Sequence, residues 1–408
     1  MPGTGITHGS RTGSILLVFG LVVGVLSFLP SPVAAATTSV DCTADSDALQ
    51  PAINAAAPGD TLNVTGTCVG NFVIDHDLTL QGTGTLNGNG SGSVVRVIPA
   101  NANPWELIVT IVDLTITNGG GGDVAGVPCG GLLTGGGIIN YGTLTLAGTT
   151  KVVGNTAACG GGVFTDSTLT MNDSATVTGN SSSTGGVFVG FNGTLILHGS
   201  SSVTANTGLG VIGYGGVEMN DSSKVSNNTA GGIYDRAGVV MNGSSSISNN
   251  GGSGVVVEVT RPITMNDYSS ITGNTSSTGG GIFAASATVI LNGHASVSGN
   301  SATASGGGIW NIGPITLNDH ASVNGNTTGT MTSPGHGGGI WNAAGTTMNG
   351  HSTIQRNNAI GPGGDGGGVY LCDAYGSEGN PFATITINGG RVRKNEPNDI
   401  KFEPNCLF

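Results

Sequence analysis

Gly306-Gly307-Gly308-Ile309-Trp310-Asn311, then Ile315-Thr316-Leu317-Asn318-Asp319, then Ser322-Val323-Asn324-Gly325-Asn326 make one unit of a repeat. Each piece alternates apolar with polar residues, is too short for a helix and is rich in β-branched side chains, so three short strands are predicted per unit. Aligning other units on Leu317 gives the anchors Leu146, Met171, Leu197, Met219, Met241, Met265, Leu291, Leu317, Met348 and Ile387, at intervals of 22 to 39 residues. Periods of that size indicate a solenoid. Nine residues after each anchor but the last stands an asparagine: Asn155, Asn180, Asn206, Asn228, Asn250, Asn274, Asn300, Asn326 and Asn357. Eight residues before many anchors lies a strand start that follows glycines, as at Ile138, Val163, Ile233, Ile309 and Ile340. Length varies outside the anchor-to-asparagine stretch: from asparagine to next strand start it runs from 5 residues after Asn228 to 14 after Asn326.

If Ile309, Ile315, Leu317 and Val323 point inward, equivalent residues stack coil upon coil about 4.8 Å apart, and a continuous core forms that no coil could make alone. Asparagines stacked at tight turns would tolerate left-handed backbone and hydrogen-bond to their copies above and below. Glycines would serve the remaining corner. The fold expected is all-β, a single-domain parallel β-helix of about a dozen coils. Before residue 135 the pattern loosens: Asp47 to Ala57 reads as a short amphipathic helix, Pro58-Gly59-Asp60 as a turn and Thr61-Leu62-Asn63-Val64 as a first strand. Such a helix would cover the open end of the solenoid, which otherwise exposes unpaired backbone groups.

Arg11, the apolar run Ile15 to Leu29 and Ala34-Ala35-Ala36 read as a signal peptide over residues 1–36, with cleavage before Thr37. The run is shorter than the roughly 20 residues a membrane-spanning helix needs. A secreted, extracellular or cell-surface protein without membrane insertion is therefore expected. Residues 37–134 form the N-terminal cap and first coils on this reading, 135–371 the regular coils and 372–408 the C-terminal coil and cap. Six cysteines in an exported chain with no C-x-x-C spacing favour disulfides. Proximity suggests Cys42 with Cys68, Cys129 with Cys159 and Cys372 with Cys406, out of the fifteen pairings that six cysteines allow. A net charge of −12 with only 8% charged residues argues against nucleic acid as a partner.

Two stretches carry a family likeness. Asp47-Ala48-Leu49-Gln50-x-Ala52-Ile53-Asn54 followed by Pro58-Gly59-Asp60-Thr61-Leu62 resembles the opening of right-handed parallel β-helix proteins of the pectin-lyase-like superfamily. The Gly-Gly-Gly-Ile strand starts at Gly306 to Ile309 and Gly337 to Ile340 are similar to repeats of polymorphic outer-membrane proteins and related bacterial surface proteins. The resemblance implies a right-handed helix over residues 41–408, used by adhesins, structural surface proteins and polysaccharide-cleaving enzymes alike. The chain departs from the polymorphic proteins in lacking F-x-x-N repeats and a terminal membrane barrel. Of the motifs that polygalacturonase-like enzymes combine, it matches only Gly335-His336-Gly337.

Several columns are candidates for function. Just after the strand start, the outward position holds Phe164, Phe188, Tyr234, Phe283, Trp310, Trp341 and Tyr370, in a chain with 5% aromatic residues. Flat rings in a stripe suit sugar rings or an apolar surface, with Phe283, Trp310, Trp341 and Tyr370 the expected ligand-binding residues; cross-coil stacking alone would also explain the column. His336 and Asp365 each precede a strand start by four residues, so they should lie one coil apart as a proton-transfer pair or a hydrogen-bonded loop. His294, His320 and His351 stand three residues after successive anchors, a solvent-facing ring ladder rather than a closed metal site. Asp235, Arg236, Glu258 and Arg261 concentrate charge on two adjoining coils, either as ion pairs or, in a lyase, as calcium-holding acids and a base. The third strand presents Thr176 with Thr178, Ser202 with Thr204, Ser246 with Ser248, Ser270 with Thr272 and Ser296 with Ser298, a flat hydroxyl face. These features suggest a binding or surface protein whose partner is a polysaccharide or a cell-surface or matrix glycan. The alternative is a polysaccharide lyase or glycoside hydrolase, whose catalytic residues would be Asp235, Arg236 and Glu258, then His336 and Asp365. No cofactor is expected, apart from calcium in the lyase case.

Overall fold

Inward-pointing residues decide how the coils pile. The computed structural model describes residues 35–100, 107–121, 135–373 and 383–404, and from Ala35 onward the chain forms one unit. All ten anchors share one column: the register pairs Leu146 with Met171, Leu197, Met219, Met241, Met265, Leu291, Leu317, Met348 and Ile387 in succession. Ile111, Leu80 and Leu62 continue it toward the N-terminus. Every member is buried except Ile387, which lies in the last coil with Ile400 and Phe402, 40 and 44% exposed. The strand starts form a second such column from Phe72 and Val95 through Ile138, Val163, Ile233 and Ile309 to Val369.

The result is a parallel β-helix built on three long parallel sheets. Sheet I holds the anchors in 14 strands, from Thr37–Asp41 to Ile385–Asn388. Sheet II holds the third strand of each coil in 13, from Thr67–Val69 to Arg391–Arg393, and sheet III the strand starts in 13, from Phe72–Ile74 to Ile400–Pro404. A fourth sheet of four strands, Thr275–Thr278, Ser301–Ser305, Thr327–Thr328 and Asn358–Ala359, adds to the three strands expected per coil. It forms where the variable segment after the asparagine is rich in Ser and Thr and long enough to pair with its neighbours.

The asparagine column is a buried hydrogen-bond ladder. Asn155 donates both its backbone N–H and its Nδ2 to Oδ1 of Asn180, each at 3.0 Å, and Asn180 does the same to Asn206 at 3.0 and 3.1 Å. The pattern runs unbroken through Asn228, Asn250, Asn274, Asn300, Asn326 and Asn357 to Asn395, which donates twice to Asp399 Oδ1 at 2.9 Å. Each ladder Nδ2 also reaches a carbonyl of the preceding coil, as Asn274 does to Ile247 at 3.1 Å, so no polar group of the amide is left unpaired. Contrary to the expectation from sequence, the ladder asparagines are not themselves left-handed. That geometry belongs to the residue just before each: Gly154, Gly179, Ala205, Asn227, Asn249, Gly273, Gly299, Gly325, Arg356 and Lys394. From Ile138 to Val369 the glycine before each strand start is required by the same ladder. A Cβ on Gly254 would lie 2.9 Å from Asn274 Nδ2 and 2.7 Å from Gly281 O, closer than any side chain could sit.

At the N-terminal end the helix spans Leu49–Ala55, within the expected segment, and buries Leu49 and Ile53 against the first coil. Its Gln50 pairs like a strand with the open edge of sheet III: Val73 N–H donates to Oε1 at 2.8 Å and Nε2 donates to Val73 O at 3.1 Å. One amide thereby satisfies edge groups that would otherwise be free to recruit another chain. The expected Cys42–Cys68 disulfide is present beneath this cap. Cys159 and Cys372 are also disulfide-bonded, while Cys129, Cys406 and the segment read as a signal peptide up to Ala34 lie outside the described residues.

Replacing Asn274 by Ala removes the acceptor of both Asn250 donors and leaves Ile247 O without its partner. A loss of at least about 3 kcal/mol is expected in urea unfolding followed by circular dichroism. Ser270→Ala, on the outward face one strand earlier, should stay within about 0.5 kcal/mol of the parent.

Candidate functional site

On sheet III the residue after each strand start points outward, so the aromatic positions fall into one column. Phe164, Phe188, Ile212, Tyr234, Val256, Phe283, Trp310, Trp341 and Tyr370 occupy consecutive coils, and Lys401 ends the row. Phe283 and Trp310 stack with ring centres 4.6 Å apart and planes 4° from parallel, and Trp310 stacks on Trp341 at 5.0 Å and 9°. Not all of this stripe faces solvent. Phe164, Phe188, Trp341 and Tyr370 are only 1, 6, 5 and 7% exposed, whereas Tyr234, Phe283 and Trp310 are partly open. Of the four expected ligand-binding residues, Phe283 and Trp310 therefore present ring surface, and Trp341 and Tyr370 serve chiefly as the base on which they stack.

His336 and Asp365 lie on neighbouring coils of one edge, as their spacing suggests, joined by a bridge in which Gly337 N–H donates to Asp365 O at 3.1 Å. Their side chains do not form a pair. Asp365 instead faces Lys401 Nζ at 3.5 Å and accepts from Asn398 Nδ2 at 3.4 Å, and Lys401 also reaches Glu403 at 3.6 Å. The His336 ring rests on Tyr370 with centres 4.9 Å apart, and its Nδ1 is buried without a hydrogen-bond partner. Burial pulls the imidazole below its ordinary pKa against the opposing charge of Asp365, and burial raises the Tyr370 phenol. Lys401 and Glu403 have no signal in the repeat, because the long segment before Ile387 interrupts it.

The charged residues of the two middle coils separate. Arg236 Nη2 lies 3.7 Å from Glu258 Oε2, both half exposed, and Tyr234 joins them by donating to Glu258 while accepting from Arg236 Nε at 3.3 Å. Arg236 also sits over the Tyr214 ring at 5.5 Å. Arg261 makes no ion pair among the described residues. Asp235 points the other way, into the core, and is fully buried. It stands in the column of Asn140, Asn311 and Asn342, each of which accepts the N–H two residues ahead and donates Nδ2 to a carbonyl at the corner. Asp235 Oδ1 accepts Ala237 N–H at 2.9 Å in the same way, while its Oδ2 has no partner. Burial raises its pKa to about 6, so the neutral acid best imitates the amide that the corner is shaped for.

The turn between sheets I and II carries three further columns. Tyr268, His294, His320 and His351 stack as exposed rings, the first two pairs 4.8 Å apart and the last 5.2 Å. Tyr268 shares the histidines' spacing from its anchor and extends the ladder read from the sequence. Tyr268, His294 and His320 lie nearly parallel while His351 is tilted 59° from His320, and among the described residues these rings do not converge into a group that could hold a metal. Beside them runs a second asparagine ladder, from Asn388 through Asn349, Asn318, Asn292, Asn266 and Asn242 to Asn220, whose side chains donate toward the N-terminus. The adjacent left-handed position alternates strictly: Asp113, Gly148, Asp173, Gly199, Asp221, Gly243, Asp267, Gly293, Asp319, Gly350. Glycine keeps carboxylates two coils apart, where stacked neighbours would repel, and the N–H of Gly148, Gly199, Gly243 and Gly293 is accepted by the aspartate of the next coil. The hydroxyl face on sheet II is as expected, with Thr176, Ser202, Ser246, Ser270 and Ser296 in one column and Thr178, Thr204, Ser248, Thr272 and Ser298 in the other.

No family model matches the chain, and no curated protein and no solved structure matches it either.

The Asp235 corner gives a pH dependence of defined sign. A carboxyl with a folded pKa of about 6 against an ordinary 3.8 holds its proton better when folded, so its contribution is full below 3.8 and is lost as pH rises through 6. Between pH 4 and 7 the parent should lose roughly 2 kcal/mol relative to Asp235→Asn in chemical unfolding. Parallel stability curves for the two proteins across that range would rule out a buried neutral acid.

Proposed function

We propose that the protein is a secreted or cell-surface binding protein that offers its long outer faces to carbohydrate or matrix. The observation that carries this reading is the ordering of outward residues. Partly open rings at Phe283 and Trp310 stack in parallel on one sheet, and two hydroxyl columns run along another, one of them interrupted by Lys224. Rigid rows repeating about every 4.8 Å meet an extended polymer with little ordering cost on the protein's side. The likeness of the Asp47 to Leu62 segment to pectin-lyase-like proteins, and of the Gly-Gly-Gly-Ile strand starts to bacterial surface proteins, supports the same use.

A second reading, polysaccharide cleavage, draws on one observation: His336, Tyr370, Asp365, Lys401 and Glu403 gather at one end of the aromatic stripe. A half-buried imidazole whose pKa is lowered by burial is a fair general base. If that reading holds, pectate, alginate or chitin-type polymers incubated with the protein, with and without calcium, should yield unsaturated or reducing ends, and His336→Ala should abolish them. Silence on every polymer would remove it.

For binding, a glycan array probed with the parent, Phe283→Ala and Trp310→Ala should show at least a ten-fold loss for whichever glycan the parent retains. Unchanged retention by both variants would make the stripe purely structural.

A further inference from the structure

The last coil of sheet II has a shorter corner than the coils from Leu146 to Met348, a three-step path that the coil at Val112 to Thr115 shares near the other end. From Asn349 to Thr353 the corner takes four steps, whereas the equivalent path from Asn388 to Arg391 takes three. The missing residue is the one that carries the ring at His351. The alternation of the neighbouring position would next place an aspartate, yet Gly389 stands there. Lost ring and lost carboxylate leave a concavity of about 270 Å³ lined by His351, Thr353, Gly389, Arg391 and Arg393.

The same end collects positive charge in a chain whose net charge is −12. Arg391 and Arg393 point outward side by side on the terminal strand, and both are exposed. Arg356 and Lys394 follow on consecutive coils, at the left-handed position that glycine, asparagine or alanine fills in the other coils, with φ of 56° in both. A long side chain takes that geometry only against a steric penalty, and residues held so tend to mark functional surfaces. Among the described residues none of these four cations forms an ion pair. The acidic residues of this turn are Glu396 and Asp399, and Asp399 is tied up in ending the asparagine ladder. Over the two outward columns of sheet II the charged residues are Lys151, Lys224, Arg391 and Arg393, with no carboxylate between them.

We propose that this end of sheet II is a subsite for the carboxylate or sulfate groups of an acidic polysaccharide, held by Arg391, Arg393, Arg356 and Lys394. Guanidinium forks match such anions in two-point contact. Thr353, Gln355, Ser322 and Asn324 continue the same face with the neutral donors and acceptors that sugar hydroxyls use. Charge that merely guards an open sheet edge would explain the terminal strand alone. It would not explain Arg356 one coil inside or the two left-handed cations.

The site lies on a different sheet from Phe283 and Trp310, so its failure and the failure of the stripe are separable: Trp310→Ala on neutral glycans tests one, and arginine variants on acidic polymers test the other. The mature protein is titrated against polygalacturonate, sulfated dextran, neutral dextran and single-stranded DNA. At low salt an acidic polysaccharide should bind at least ten-fold more tightly than neutral dextran, with affinity falling as salt rises. Arg391→Gln with Arg393→Gln should weaken it at least ten-fold, and Lys151→Gln, on the same sheet far away, less than two-fold. The proposal is overturned if the double variant binds like the parent or changes only its self-association. It is equally overturned if neutral and acidic dextrans bind alike, or if DNA binds more tightly than either acidic polymer.

Discussion

An asparagine amide that must find the same amide one coil above and one coil below is the constraint on which the rest of this β-helix rests. Each rung accepts two hydrogen bonds on Oδ1 and spends both Nδ2 protons, so coils can stack only in one register. Because the amides fill the corner, the residue facing them cannot carry a Cβ, and this is why a glycine such as Gly254 precedes each strand start from Ile138 to Val369. The left-handed turn before each asparagine follows from the same geometry. A second ladder on the outer edge runs its side-chain hydrogen bonds in the opposite direction, so the two rows of amide dipoles oppose each other. Two fixed corners and a tight core push most insertions between the asparagine and the next strand start, with the long segment between Val369 and Ile387 lying instead between strand start and anchor.

Repetition made the fold legible. Spacing of nine residues from anchor to asparagine and eight from strand start to anchor was enough to place the columns of Met171, Met241 and Leu317, and of Ile309 and Ile340, in the interior. What the sequence hid has physical causes. Asn395 escapes a count of nine because the last corner is one residue shorter, and Asp399 belongs to the ladder only because a carboxylate oxygen accepts as an amide oxygen does. Asparagine is the residue type that suggests left-handed geometry, yet the steric freedom is needed one residue earlier. The alternation of Asp with Gly looks like tolerance at one position until charge repulsion between adjacent coils is considered.

The candidate sites were less legible, because spacing tells which face a residue takes but not how deep it lies. Asp235 and Arg236 are neighbours in sequence, yet one is buried at a corner built for asparagine and the other joins Tyr234 and Glu258 in solvent. His336 and Asp365 meet through their backbones, while their side chains choose Tyr370 and Lys401. Trp341 and Trp310 occupy identical positions in the repeat but differ in exposure. Outward columns in a solenoid are free of the packing rules that fix the inward ones, and they are where selection for partners can act.

Amide hydrogen exchange along the asparagine column tests the central claim most directly. Backbone N–H groups of Asn180, Asn206, Asn228, Asn250, Asn274, Asn300 and Asn326, each donating to the next rung, should exchange as slowly as the core amides of sheet I. Exchange at the rate of the exposed loop around Met331 would contradict a continuous ladder and the register it imposes.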